Sequence, residues 1–118
     1  MAQRRFDAQR LGAHGEDLAA RWYVERGYRV LDRNWRCADG ELDLVLAHGR
    51  RVVICEVKTR SSLRFGSPFE AVGPAKQQRL RRLGARWVRE AAPFRPVEVR
   101  YDVVGIVGRR VEVIEGAL

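Results

Sequence analysis

Two short runs carry the residues able to do chemistry, "ELDLVL" at 41–46 and "VVICEVK" at 52–58. If both are strands, alternation puts Glu41, Asp43 and Val45 on one face and Leu42, Leu44 and Leu46 on the other. In the second run Val52, Ile54, Glu56 and Lys58 lie opposite Val53, Cys55 and Val57. A two-residue turn at His48-Gly49, or a four-residue loop from Ala47 to Arg50, sets Glu41 opposite Glu56 and Asp43 opposite Ile54. All three acids and Lys58 then share a face, with Asp43 and Glu56 as diagonal neighbours roughly 7–8 Å apart at the backbone. A three- or five-residue turn would send the two sets to opposite faces. Acids crowded on a half-buried face repel one another unless a cation neutralises them. Oxygen ligands without clustered His or Cys point to Mg²⁺ or Mn²⁺ rather than zinc.

The basic residues add a second signal. Of 23 lysines and arginines only Lys58 and Lys76 are lysine. A compact, rotatable ammonium can hold a water or a phosphate oxygen where the planar guanidinium fork would displace the reacting atoms. Lys76 falls four residues before Leu80, which extends a helix's buried row into its first turn, where the N-terminus favours phosphate. Gln77 sits beside it. The competing account is compositional: an arginine-rich chain leaves a few lysines anywhere, and Glu56 with Lys58 makes a weak surface ion pair.

The elements that must position these groups follow from periodicity. Leu11, Gly15, Leu18 and Trp22 recur at helical spacing from about Asp7 to Arg26, with Gly12, Glu16, Ala19 and Tyr23 as the adjacent row and Gly27 as a stop. "YRVLDRNWR" reads as a strand, "CADG" as a turn, and the two chemistry-bearing runs as a hairpin. "SSLRFGSPFEAVG" reads as a surface loop; Pro74 then opens a helix to about Glu90, buried through Leu80, Leu83, Trp87 and Val88, with Arg79, Arg82, Arg86 and Arg89 toward solvent. Pro93 and Pro96 end it, and "VEVRYDVVGIV" and "RVEVIE" are two last strands. The expected order is α-β-β-β-α-β-β, an α/β fold with a partly antiparallel sheet closed by helices.

At 118 residues the chain is expected to form one domain, residues 1–118. No apolar run approaches a membrane span, and the basic start "MAQRRFDAQR" lacks the apolar stretch of a signal peptide, so the expected location is the cytoplasm and no membrane partner is expected. Cys37 and Cys55 have neither the number nor the spacing of a disulfide framework or a zinc site, and His14 and His48 stand far apart. The net charge of +8 makes nucleic acid the leading partner class.

With these residues in place, "GELDLVLAHGRRVVICEVKTR" resembles the core motif of the PD-(D/E)xK nuclease superfamily, with Asp43 as its aspartate and Glu56-Val57-Lys58 as its ExK element. "GEDLAARWYVERGY" upstream and "KQQRLRR" downstream make the whole chain similar to the bacterial YraN-type family, which itself resembles archaeal Holliday-junction resolvases. The proline-aspartate pair that names the superfamily is absent, Leu42 preceding Asp43.

The resemblance implies a restriction-endonuclease-like fold with a central mixed five-stranded sheet flanked by helices. It implies that Asp43 and Glu56 ligate the metal with the Val57 carbonyl, that Lys58 orients the attacking water, and that Glu16 supplies an extra acid. Gln77 and Lys76 match the helix lining the phosphate path. The activity implied is metal-dependent hydrolysis of DNA phosphodiesters, branched or structured DNA included, with Mg²⁺ or Mn²⁺ as cofactor and a homodimer if the resolvase analogy holds. Arg60, Arg64, Arg79, Arg82 and Arg86 would track the nucleic-acid backbone. Trp35 and Phe65 would stack on bases, Trp35 competing with a place in the core. Two other functions stand beside this one: a nucleic-acid-binding module that keeps the fold without turnover, and a basic interaction protein whose acid cluster is structural.

Overall fold

The computed structural model describes residues 2–60 and 73–117, with side chains from residue 13 onward within those ranges. Helix α1 (Ala2–Val24) is followed by β1 (Arg29–Cys37), β2 (Gly40–His48) and β3 (Arg51–Arg60), then α2 (Pro74–Glu90), β4 (Glu98–Val107) and β5 (Arg110–Ile114). The order is the expected α-β-β-β-α-β-β, and the five strands form one mixed sheet in sequence order. All neighbouring strands run antiparallel except β3 and β4, which are parallel and joined across α2. The chain is thus an α/β protein of restriction-endonuclease-like topology. Arg64, Phe65 and most of the expected surface loop lie outside the described residues. Among those described, no helix is long and apolar enough to cross a membrane.

Each face of the sheet is covered by one helix, because the strands of a sheet buried on both sides carry apolar residues on both alternations. Under α1, Ala19, Ala20 and Tyr23 pack on Leu44, Leu46, Val53, Cys55, Val104 and Ile106. Under α2, Leu80, Leu83 and Trp87 pack on Leu42, Val45, Val52 and Ile54. Trp35 and Cys37 pack against this second cluster, so the core role for Trp35 is the one its place supports. The Trp87 indole also donates to Asp32 on β1 across 3.1 Å, which fixes α2 over that edge.

Two glycines set how closely the helices approach. Gly15 lies against the Thr59 side chain, so that any Cβ would collide with it and α1 must cross β3 tightly just beyond Lys58. Gly84 lies against Tyr101, whose hydroxyl oxygen is 2.6 Å from where a Cβ would stand. Gly84→Ala improves helix propensity by about 1 kcal/mol but overpacks the interface by about 1–3 kcal/mol, so the variant is expected to be less stable in urea unfolding. An unchanged or raised midpoint would show that Tyr101 gives way freely.

Candidate active site

The β2–β3 hairpin builds the centre of the site, and its register differs from the expected one. The strands pair from His48–Arg51 to Leu44–Cys55, so the turn is Gly49-Arg50, with Gly49 at φ 58°. The first central position of a primed hairpin turn favours glycine, and Gly49 draws the turn one residue past His48. The pairing thereby slides by two residues. Since side chains alternate with period two, a two-residue slide keeps every face, and Asp43 comes to the level of Glu56 instead of Ile54.

Alternation itself fails at one point. Leu44 and Leu46 face α1 as expected, but Leu42 joins the α2 cluster with Val45. The break in the pleat falls at Asp43, beyond the last β2–β3 pair. On the other side β1 is irregular too: its register shifts between Val30 and Asp32, and Asn34, which falls between the Arg33–Leu44 and Trp35–Leu42 pairs, has φ 53°. Such irregularities re-aim side chains. Here the Asp43 carboxylate accepts the Val57 N–H at 2.9 Å, taking the place of a backbone partner.

Asp43 and Glu56 line the same cavity. Burial, then the Glu56 charge, push the Asp43 carboxyl up to about 7, with Glu16 adding to the effect and the Val57 N–H opposing it. Glu56 is 6% exposed and carries both lysines: Lys76 Nζ lies 2.7 Å and Lys58 Nζ 3.2 Å from the same oxygen, Oε1. Burial and the adjacent Lys76 hold Lys58 below the ordinary lysine range. For Lys76 burial is the largest single influence and pulls downward, but the hydrogen bonds to Glu56 and Lys58 and the charges of Glu56 and Asp43 together outweigh it and leave it raised. Asp43, Glu56, Lys58, Lys76, Arg79 and Glu41 line one cavity of about 290 Å³.

The other expected residues divide. Glu16 lies in the α1 row of Ala19 and Tyr23, which is buried more completely than Leu18 and Trp22, and its charge bears on Asp43. Its carboxylate accepts Asn34 Nδ2 at 3.1 Å, with Arg33 at 3.7 Å. Glu41 reaches the cavity wall but pairs with Arg36 at 2.7 Å. The expected trio of acids is therefore a pair, and among the described residues no three of His, Cys, Asp and Glu form a metal-ligating group. Gln77 is half-buried in the first turn of α2, its N–H bonded to Gly73.

Arg79 and Arg82 are exposed on α2, Arg79 lying over Gly40, whose φ of 143° suits a residue without a side chain. Arg86 is not a free solvent-facing charge, being paired with Asp39 and Glu90, both at 3.0 Å. Arg60 is half-buried, its guanidinium on the Thr59 carbonyl. Asn34 and Arg33 were not singled out from sequence. The signal was an asparagine inside a strand-like run, since asparagine is depleted in strands and tolerates positive φ.

A restriction-endonuclease-like fold with paired acids and lysines at the parting of two strands defines the class. Comparison with known proteins narrows it. Residues 15–106 match the family model described as uncharacterised protein family UPF0102, and the chain belongs to that family. It is 56% identical over 102 residues to a UPF0102 protein of Nocardioides sp., covering 86% of this chain and 82% of that one. With a UPF0102 protein of Frankia alni it shares 53% over 123 residues, spanning 99% of both chains. With that of Clavibacter michiganensis it shares 47% over 114 residues, 92% of this chain and 96% of the relative.

Proposed function

We propose that this protein is a metal-dependent endonuclease that hydrolyses phosphodiester bonds in DNA, acting on branched or structured forms. The observation that carries this reading is one cavity lined by Asp43 and Glu56, with both lysines of the chain gathered on Glu56. Asp43, pushed up to about 7 by burial and the Glu56 charge, is a carboxyl that a further cation would help to ionise. Such hard oxygen donors suit Mg²⁺ or Mn²⁺, and Mg²⁺ is commonly held by one or two carboxylates with water and substrate phosphate completing its shell. The residues therefore fit the ion: Asp43 and Glu56 would hold it with the Val57 carbonyl. Bound there, it would supply Lewis-acid neutralisation of the phosphoryl oxygens and a water made acidic near neutral pH.

The chain's own groups do the rest. Lys58, the ammonium held low, is fitted to orient a water and exchange a proton with it. Glu16, kept in place by Asn34 and Arg33, adds negative charge beside Asp43. Lys76, Gln77, Arg79 and Arg82 on α2, with Arg60 at the end of the ExK strand and Arg64 further along the chain, would track the backbone, Arg86 joining only by leaving Asp39 and Glu90. We further propose that residues 1–118 act as one nuclease-like domain in the cytoplasm and that two copies pair on a symmetric substrate.

The test is cleavage of end-labelled single-stranded, duplex, flap and four-way-junction DNA with Mn²⁺ or chelator. Cuts by the natural protein should fall at least about 100-fold in Asp43→Asn and Lys58→Ala, with DNA affinity little changed. The second reading, a binding module without turnover, is favoured by the two-acid count and by Lys76 already seated on Glu56. Equal binding by all three proteins, with no cuts by any, would install it.

A further inference from the structure

Glu56 Oε1 is shared by two ammonium groups arriving from different elements, Lys58 on β3 and Lys76 on α2. They are the only lysines among 23 basic residues, so their meeting on one atom is not a by-product of abundance. Lys76 is the closer, at 2.7 Å against 3.2 Å, and the more exposed, its side chain at 35% against 21%. A nearly buried carboxylate needs a positive partner. Lys58 leaves the same strand as Glu56, two residues along β3, whereas Lys76 reaches it from α2 on the other side of the cavity and is the more exposed of the two.

We propose that Lys76 is a built-in stand-in for the divalent cation, seated on Glu56 while the site is empty and displaced from it when the ion binds. Resting on the metal-site reading above, this makes Lys76 a positioning residue with two places. On Glu56 it neutralises the buried acid and competes with the ion. Displaced, its ammonium stays in the cavity beside Arg79, ready for a phosphate oxygen of the bound strand. Lysine suits both places, because a point charge on a flexible stem moves between acceptors where a guanidinium fork would not. The site thus gains its second phosphate contact only when the ion has loaded.

The test is calorimetric titration of Mn²⁺ alone, at neutral pH and low salt, into the natural protein, Lys76→Met, Arg79→Met and Asp43→Asn, each first shown to be folded. Lys76→Met should bind Mn²⁺ roughly five- to tenfold more tightly, the weight of one partly exposed ion pair. Arg79→Met removes a charge from the same cavity and should change affinity less than about twofold, which separates displacement from general electrostatics. Binding by Lys76→Met alone would support the proposal still more strongly. Equal or weaker binding by Lys76→Met, or equal tightening in Arg79→Met, would overturn it while leaving the metal site standing. If neither the natural protein nor Lys76→Met binds Mn²⁺ more than Asp43→Asn does, the metal-dependent function falls and this proposal with it.

Discussion

Replacing Asp43 by asparagine is expected to stabilise the protein at pH 8 in the presence of chelator, even though it removes the central acid of the site. Burial and the Glu56 charge raise the folded carboxyl from 3.8 to about 7, so the fold favours its protonated form. The associated stability is fully present below pH 4 and is lost as pH rises through 7, where the charge must be held against Glu56. Asparagine escapes that cost and can still accept the Val57 N–H. Allowing for the site's partial opening to solvent, the gain at pH 8 is about 1–3 kcal/mol, or roughly 5–10 °C in melting temperature. It should shrink steadily toward pH 4. Thermal melts across pH 4–8 check this, and a variant less stable than the natural protein at pH 8 would mean that the carboxylate is already compensated by Lys58 and Lys76.

Asp102→Ala is expected to have the opposite and larger effect. Asp102 is fully buried on β4 and accepts from Tyr23 Oη at 2.7 Å, from Arg100 Nε and Nη2 at 2.9 Å each, and from the Gly116 N–H at 2.9 Å. Burial, helped by Cys55 and Asp102, pushes the Tyr23 phenol far above its ordinary range, and the Asp102 hydrogen bonds hold the Arg100 guanidinium above its own. One carboxylate thus joins α1, β4 and the segment after β5. Removing it leaves the Arg100 guanidinium with Tyr28 and the more exposed Glu115 and takes the carboxylate from the buried Tyr23 phenol, a loss of about 3–5 kcal/mol. Urea unfolding should show it, and the double variant Arg100→Met with Asp102→Ala should recover part of the loss. A cost under about 1 kcal/mol would show that water enters the gap.

What sequence could reveal of the site depended on period more than on register. The two-residue slide of the hairpin left Asp43, Glu56 and Lys58 together because parity survives an even shift, so the constellation was legible although the turn was misplaced. The helices were legible for a similar reason: Leu80, Leu83 and Trp87 are buried on α2 as their spacing required. Alternation could not foresee the break at Asp43 that turns Leu42 toward α2, since that depends on an irregular β1 lying alongside. Glu41 as a metal ligand and Arg86 as a backbone contact are sequence expectations that cannot include the pairings with Arg36 and Asp39, because sequence does not show that those two come within reach. These pairings come from the short Ala38-Asp39 turn and the seating of α2, which are tertiary facts.

The placement of the parallel β3–β4 pair bears on the order in which the molecule assembles. β1, β2 and β3 are linked by tight turns and need only contacts between near neighbours in the chain, whereas Arg51 meets Glu98 only across a far longer stretch of sequence that includes α2. Local pairings form sooner than those that must first close a long loop. Asp43 and Glu56 would therefore be brought together early, on a three-stranded meander whose last strand still has an open edge. α2 and β4 supply Lys76 and cover that edge later, so the carboxylates meet before one of their counter-charges arrives.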